Sequence, residues 1–288
     1  MSHDRLVILA GGISSRMKER AGNAQALDPE PPQQAHGSSK AMLRFGSDKR
    51  PFLDYLLMNA KEAGYREVVI VTSEKDKSFR EYYRSEARGA ELLELEISFA
   101  RQGIPAGREK PLGTADALLQ ALRSRPNWQG DGFTVCNSDN LYSVRALNLL
   151  RQGPHTNAMI DYDRSGLQFP PERIAAFAVT KTEEDGFLID IIEKPTPEQI
   201  AEVTKPDGRV GVSMNVWKLA YEMIFPFLEA VPLHPVRQEK ELPRAIFMLL
   251  QRHAQSVYAY PLCEHVPDLT SQDDLPVVRD YLGKNFGD

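Results

Sequence analysis

The stretch that decides the fold is LVILAGGISSRM, residues 6–17, in which an apolar run is followed by two glycines and then by polar residues. Leu6 to Ala10 have the length and continuity of a strand that is buried on both faces. Glycines directly after such a strand let the backbone approach a ligand closely. Backbone N–H groups at the start of a following helix attract anions, and Arg16 adds a cation there. We therefore predict a strand, a glycine loop and a helix that together bind phosphate.

Two better-known glycine loops are excluded. A P-loop needs the pattern G-x-x-x-x-G-K-[ST], and Gly12 is followed by ISSRM without a Gly-Lys pair. A dinucleotide-binding loop needs G-x-G-x-x-G and an acidic residue about 20 residues later, at the end of a second strand. That part of the chain reads LDPEPPQQAHGSSK, which is typical of a loop. The alternative that stays open is that Gly11 and Gly12 form only a tight turn.

The composition is that of an ordinary globular enzyme. Of the 288 residues, 42% are hydrophobic and 26% are charged. No apolar run approaches the roughly 18 residues of a membrane span, and the stretch MSHDRLVIL does not resemble a signal peptide. Two cysteines, Cys136 and Cys263, are too few for a disulfide framework, so we expect a cytoplasmic protein. A net charge of −5 argues against a nucleic acid partner.

Strands and helices alternate along the first half of the chain, as in EVVIVT followed by the charged run KSFREYYRSE. This rhythm predicts an α/β fold with a Rossmann-like, doubly wound, mixed and mainly parallel sheet. Ligands of such sheets gather at the carboxyl ends of the strands. In the second half, Asp185 and Gly186 lie between two apolar runs and predict a β-hairpin. The segment from Arg20 to Ser39, rich in Pro, Gln and Gly, is predicted to be a mobile loop.

Five elements occur in order along the chain, and together they resemble the sugar-phosphate nucleotidyltransferases, also called sugar-nucleotide pyrophosphorylases. They are LAGG-x-x-SRM, SSKAMLRFG, PLGTADALL, FTVCNSDN and DIIEKP, and VPDLTSQDDL near the C-terminal end adds a further match. The resemblance implies the nucleotide-diphospho-sugar transferase fold. It also implies one domain over residues 1–288, with a nucleotide half of about 1–155 and a sugar-pocket half of about 156–288.

The resemblance implies that the first three elements bind a nucleoside triphosphate. Arg16 and Lys40 would contact its phosphates during catalysis. The implied nucleotide-binding residues are Leu9, Ala10, Gly11, Gly12, Gln102, Gly113 and Thr114. Thr114 also has the residue type of a helix N-cap. Lys40 taken alone would more often be a solvated loop lysine.

The fourth element and the C-terminal match carry the implied metal site. In the family, the aspartates that correspond to Asp139 and Asp268 hold Mg²⁺, which suits one or two carboxylates together with phosphate oxygens and water. Taken alone, Asp139 is also consistent with a neighbour of a helix N-cap, and Asp268 with a turn. Their joint occurrence favours the metal site.

The resemblance also implies which residues bind the sugar phosphate. Glu193 would accept hydrogen bonds from sugar hydroxyls, and Lys194 would bind the phosphate of the sugar and act in catalysis. Asn215 stands in the pocket strand VSMNVWKL where many members have glycine, which puts the identity of the sugar in doubt. A salt bridge at the end of a strand is the simpler interpretation of Glu193 and Lys194.

The implied reaction joins a nucleoside triphosphate and a sugar 1-phosphate, releasing pyrophosphate. The two substrates are the expected partners, and a homo-oligomer stays open. One alternative is nucleotidyl transfer to a non-sugar phosphate of the phosphocholine or molybdopterin type. Others are a non-catalytic regulatory relative that binds nucleotide, and a glycosyltransferase, although LAGGISSRM and EKP do not favour the last.

Overall fold

The structure, a computed structural model, describes residues 2–12, 39–85 and 92–287. Arg16 and almost all of the predicted loop from Arg20 to Ser39 lie outside the described residues. The strands are β1 (Arg5–Leu9), β2 (Arg44–Phe45), β3 (Arg50–Pro51), β4 (Glu67–Ser73), β5 (Glu96–Gln102), β6 (Gly132–Asn137), β7 (Asn157–Asp163), β8 (Val179–Thr182), β9 (Leu188–Ile192), β10 (Gly211–Ala220) and β11 (Val257–Leu262). The α-helices are α1 (Phe52–Glu62), α2 (Ser78–Arg84), α3 (Thr114–Arg123), α4 (Val144–Gln152), α5 (Pro171–Ala175), α6 (Pro197–Val203), α7 (Tyr221–Ala230), α8 (Leu242–Arg252) and α9 (Asp274–Phe286).

A sheet of nine strands in the described part of the chain runs through both predicted halves. Its main order is β11-β7-β10-β6-β1-β4-β5, and the β8–β9 hairpin joins it at β10. Strand β1 pairs in parallel with β4 and β6, and β7 pairs in parallel with β11. Strand β10 is antiparallel to both of its neighbours β6 and β7. The carboxyl ends of β1, β4, β5, β6, β7 and β11 therefore lie along one edge of the sheet.

Successive apolar side chains of the central strands point to opposite faces of the sheet. The sheet therefore has a hydrophobic core on both faces. In β1, Leu6 and Ile8 belong to the core that α1, α2, α4 and α9 cover, whereas Val7 and Leu9 belong to the core under α3, α7 and α8. Helices on both faces are what a doubly wound sheet requires, because each strand buries two apolar rows. The predicted fold class is confirmed.

Most of the predicted elements form, with local differences. The hairpin at Asp185-Gly186 joins β8 to β9, and Gly186 has a positive φ of 92° that suits its turn. The apolar run RIAAFAVTK before this hairpin is a strand only in its second part, because α5 occupies its beginning and β8 starts at Val179. The segment KAMLRFG forms a 3₁₀ turn followed by a two-residue strand. Helices α6 and α9 were not predicted, and the single-domain boundary stays a prediction.

None of the helices described is both long and apolar enough to cross a bilayer. Cys136 is buried, Cys263 is exposed, and neither forms a disulfide.

Candidate active site

The loop after β1 lies at the carboxyl edge of the sheet, where the sequence predicts the nucleotide. Ala10 N donates to Val71 O at 2.9 Å, and Ser138 N donates to Leu9 O at 3.2 Å, which joins this loop to both neighbouring strands. A Cβ on Gly11 would stand 3.0 Å from the side-chain oxygen of Gln102. A Cβ on Gly12 would meet no atom of the described residues within 4 Å. Gly11 is therefore packed closely against Gln102, whereas Gly12 is exposed.

Gln102 ends β5 as a buried side chain whose donors are already used. Its Nε2 donates to Gly113 O and to Asp116 Oδ2, both at 2.8 Å. The carboxylate of Asp116 fixes the amide orientation, because the opposite orientation would set two oxygens against each other. Only the amide oxygen remains for a further partner, on the side of Gly11. Reading of a base through the amide N–H, as the resemblance implies, would require Gln102 to release one of these two bonds.

The start of α3 is capped by a distant segment, so the predicted N-cap role of Thr114 is wrong. The N-cap position belongs to Gly113, and the Thr114 hydroxyl accepts a hydrogen bond from Leu242 N at 2.9 Å. Ala115 N donates to Lys240 O at 2.9 Å. A Cβ on Gly113 would come within 2.7 Å of that same Lys240 oxygen, and its φ of 107° is in the region that favours glycine. The Thr114 hydroxyl and the backbone N–H of Ala115 are therefore both used in hydrogen bonds to the segment that begins α8.

The two predicted metal carboxylates belong to segments that are hydrogen-bonded to each other. Leu269 N donates to Asp139 O at 2.8 Å, and Leu141 N donates to Pro267 O at 2.9 Å. An isolated antiparallel bridge pairs Asn140 with Asp268 between these two bonds. The fold thus brings together two aspartates that are far apart in sequence.

The Asp268 carboxylate has two protein partners. Arg173 on α5 donates to its Oδ2 at 2.6 Å, and the Thr270 hydroxyl donates to its Oδ1 at 2.7 Å. The same guanidinium also bonds Asp274 at the start of α9. The described residues contain no group of three or more His, Cys, Asp or Glu that could hold a metal. Substrate phosphates and water are the ligands that usually complete a Mg²⁺ site with one or two carboxylates.

Lys40 lies beside the Asp268 segment. Its Nζ donates to Thr270 O at 2.7 Å, which joins the beginning of the 3₁₀ turn to the loop that carries the aspartate. A lysine has three donors, and the bond to Thr270 accounts for one of them among the described residues. Lys40 is therefore located where it could contact phosphate next to the predicted metal.

Glu193 and Lys194 follow β9 directly, at the carboxyl edge of the sheet. Ile192 pairs with Val179, which in turn pairs with Val212, so β9 ends at the level of the amino end of β10. Lys194 is exposed and has a left-handed backbone with φ 47°.

The Glu193 carboxylate accepts a hydrogen bond from Arg237, a residue that the sequence did not single out. Arg237 Nη2 lies 2.7 Å from Glu193 Oε2. This hydrogen bond, opposed by partial burial, raises the pKa of Arg237. The salt bridge named above as the simpler interpretation thus exists for Glu193, with a partner 44 residues further along the chain.

Asn215 lies in an irregular part of β10. Ser213 pairs with Asp161 and Trp217 with Met159, so three residues of β10 stand opposite one of β7. Asn215 is exposed with φ 56°, a conformation that asparagine tolerates and glycine adopts freely.

A buried tyrosine donates a hydrogen bond to the backbone of this bulge. Tyr142 donates its hydroxyl proton to Met214 O at 2.7 Å, and burial raises the pKa of Tyr142 well above its ordinary value. The hydroxyl therefore stays protonated and remains a donor.

The structure thus gathers most of the predicted residues at one edge of the sheet, although in separate groups. One group surrounds Gly11, Gln102 and Gly113, a second surrounds Lys40, Asp139 and Asp268, and Glu193 with Lys194 forms a third. The sequence analysis missed Arg173 and Arg237. Neither carries a sequence signal, because Arg173 on the short helix α5 and Arg237 in a loop meet their carboxylates only through the fold.

Comparison with known proteins assigns the family. The family described as Nucleotidyl transferase matches residues 35–258. A glucose-1-phosphate adenylyltransferase of Jannaschia sp. (strain CCS1) is 26% identical over 226 residues, which cover 75% of this chain and 49% of the relative. One of Parafrankia sp. (strain EAN1pec) is 23% identical over 268 residues, which cover 93% and 60%. The matched part of this chain thus spans about half the length of the first relative and 60% of the length of the second.

A solved structure shares the fold. A UDP-glucose pyrophosphorylase, solved in complex with UDP-glucose, superposes with a TM-score of 0.69 at 18% identity, and the match covers 98% of each chain. The family match extends over most of the sequence and includes the segments that carry Lys40, Asp139 and Glu193. The chain therefore belongs to the nucleotidyl transferase family, as its resemblance to the sugar-phosphate nucleotidyltransferases predicts.

Proposed function

We propose that this protein is a Mg²⁺-dependent nucleotidyltransferase that joins a nucleoside triphosphate and a sugar 1-phosphate to give a nucleotide-sugar and pyrophosphate. The observation that carries the proposal is the junction of Lys40, Asp139 and Asp268 at the carboxyl edge of the sheet. A cation and two carboxylates next to a glycine loop suit phosphoryl chemistry. The relatives named above, which act on glucose 1-phosphate or bind UDP-glucose by their names, support the same reaction class.

The reaction needs no general base. A phosphate monoester is mostly a dianion at neutral pH, because its second pKa is about 6. One of its oxygens attacks the α-phosphorus of the triphosphate, and the bond from that phosphorus to the pyrophosphate oxygen breaks. Lys194 would hold the attacking phosphate, and Glu193 would bind the sugar hydroxyls. Lys40, with Arg16 from outside the described residues, would stabilise the negative charge on the departing pyrophosphate.

Asp139 and Asp268 fit a magnesium ion by their chemistry. Both are hard oxygen donors on adjacent segments, and the hydrogen bonds from Arg173 and Thr270 leave further lone pairs on the Asp268 carboxylate. When bound, Mg²⁺ would neutralise phosphate charge between the two substrates.

The test is pyrophosphate release from each of five nucleoside triphosphates, combined in turn with a panel of sugar 1-phosphates and with phosphocholine. We expect release with one triphosphate and a sugar 1-phosphate, together with a nucleotide-sugar product. Asp139→Ala should lower turnover at least about 100-fold, which corresponds to ~2.7 kcal/mol of lost transition-state stabilisation. Asp280→Ala is the matched control, because Asp280 is exposed on α9 and pairs with Lys284 at 2.7 Å.

Release with phosphocholine but with no sugar phosphate would favour the non-sugar alternative. Binding of nucleotide without any turnover would favour the regulatory one. Wild-type turnover in Asp139→Ala would contradict the metal assignment.

A further inference from the structure

The loop between α7 and α8, residues 231–241, connects the nucleotide side of the site to the sugar side. Its C-terminal part is fastened to the start of α3, through Lys240 O to Ala115 N at 2.9 Å and through Leu242 N to the Thr114 hydroxyl at 2.9 Å. Lys240 N also donates to Leu112 O. The loop is therefore anchored on the same glycine segment that contacts Gln102.

The tip of this loop directs Arg237 toward Glu193. The ring nitrogen Nδ1 of His234 accepts hydrogen bonds from Val236 N at 3.2 Å and from Arg237 N at 3.1 Å, which closes a tight turn. Arg237 then bonds two carboxylates. Its Nε lies 2.7 Å from Glu241 Oε1 and its Nη2 lies 3.1 Å from Glu241 Oε2, while Nη2 also reaches Glu193 Oε2 at 2.7 Å.

Because Glu241 already holds the guanidinium at two points, the ion pair between Arg237 and Glu193 costs less side-chain entropy than an ordinary surface pair. An exposed ion pair contributes little to stability because both long side chains lose entropy when they meet. Here Glu241, whose side chain is only 15% exposed, already holds the guanidinium in a two-point contact. Little further entropy is lost when Arg237 fixes Glu193, and the Oε1 atom of Glu193 keeps its lone pairs for another hydrogen bond.

We propose that Arg237 is a positioning residue of the sugar-phosphate subsite, which orients the Glu193 carboxylate toward the hydroxyl groups of the bound sugar. This inference rests on the proposed function, since it assigns Glu193 to the sugar. It adds a residue of the 231–241 loop to the site and makes the contact between sugar and Glu193 depend on a segment anchored in the nucleotide half.

Loss of Arg237 is expected to weaken the binding of sugar 1-phosphate. Without the guanidinium, the Glu193 side chain samples other rotamers and its hydrogen bonds to the sugar weaken. This effect raises the KM for sugar 1-phosphate and does not act on the phosphates of the triphosphate near Lys40.

The test measures steady-state kinetics of Arg237→Ala with the best sugar 1-phosphate and triphosphate from the panel. We expect the KM for sugar 1-phosphate to rise about tenfold, with the KM for triphosphate and the melting temperature nearly unchanged. Arg123→Ala is the matched control. Arg123 is half exposed and pairs with Glu229 at 2.9 Å. Its replacement therefore removes a similar arginine–glutamate pair next to the same loop, but one that does not involve Glu193.

A double-mutant cycle with Glu193→Ala decides whether Arg237 acts through the carboxylate. If it does, Arg237→Ala has no further effect on the KM for sugar 1-phosphate once Glu193 is removed. A full tenfold effect in the Glu193→Ala background would overturn the positioning role. So would a KM for Arg237→Ala equal to that of Arg123→Ala. If the wild-type protein turns over no sugar 1-phosphate at all, the proposed function itself fails together with this inference.

Discussion

At the scale of single residues, Lys194 combines an exposed charge with an unusual backbone conformation. It is exposed, directly follows Glu193, and has a left-handed backbone that brings the chain sharply away from β9. Such a conformation costs about 1 kcal/mol or more for a residue other than glycine. A lysine kept in this conformation is consistent with a role for its charge.

Lys194→Ala is expected to raise the KM for sugar 1-phosphate about ten- to hundredfold, because one charge-assisted contact contributes about 1.5–3 kcal/mol. Triphosphate binding should change little. Lys49→Ala is the matched control, since Lys49 is also exposed with a φ of 50° but lies in the β2–β3 turn. Steady-state kinetics with each substrate varied in turn makes the measurement. A weaker affinity for triphosphate alone would reverse the orientation of the two substrates.

At the scale of elements, the bulge in β10 shapes the predicted sugar pocket. Asn215 is tolerated there because its side chain is short and polar, whereas a β-branched residue would clash with its own backbone at φ 56°. Asn215→Val should therefore lower the free energy of unfolding by about 1–2 kcal/mol. Asn215→Gly should change it by less than about 0.5 kcal/mol. Urea denaturation of the two variants tests this, and equal stabilities would show that the bulge relaxes.

Strands and amphipathic helices were predictable because their signal is local. The continuous apolar run of β1 and the Asp-Gly turn before β9 are visible in a few neighbouring residues. The cap of α3 was not predictable, because the group that satisfies Ala115 N is a backbone carbonyl more than one hundred residues away. For the same reason the family motifs singled out Asp268 and Glu193 as candidates, but not the arginines that bind them.

At the scale of the whole molecule, two histidines link stability to pH: His3, which is buried, and His265, which is partly buried. Burial, reinforced by the nearby charge of Lys218, lowers the pKa of His3 to about 3. Burial and the charge of Arg173 lower the pKa of His265 to about 4. Both are neutral in the folded protein, whereas in the unfolded chain they take up protons below about pH 6.5.

The unfolded state therefore binds more protons than the folded state between about pH 6.5 and pH 4, and stability falls as the pH drops through this range. Each histidine contributes a slope of up to about 1.4 kcal/mol per pH unit. Denaturation at pH 7, 5.5 and 4.5 should show a smaller loss in His3→Asn and His265→Asn than in the wild type. His253→Asn, at an exposed position, is the control. Parallel pH profiles for all four proteins would contradict the burial of these two rings.

The late position of β10 in the chain has a consequence for synthesis on the ribosome. This strand lies between β6 and β7, and the segment after it supplies the carbonyl that caps α3. While the ribosome is still translating the second half, β6 has one unpaired edge and α3 lacks its cap. The nascent chain therefore cannot complete the fold of its first half before the second half is synthesised. A ribosome that stalls before residue 211 would leave an open strand edge exposed, which is a substrate for chaperones and a starting point for aggregation.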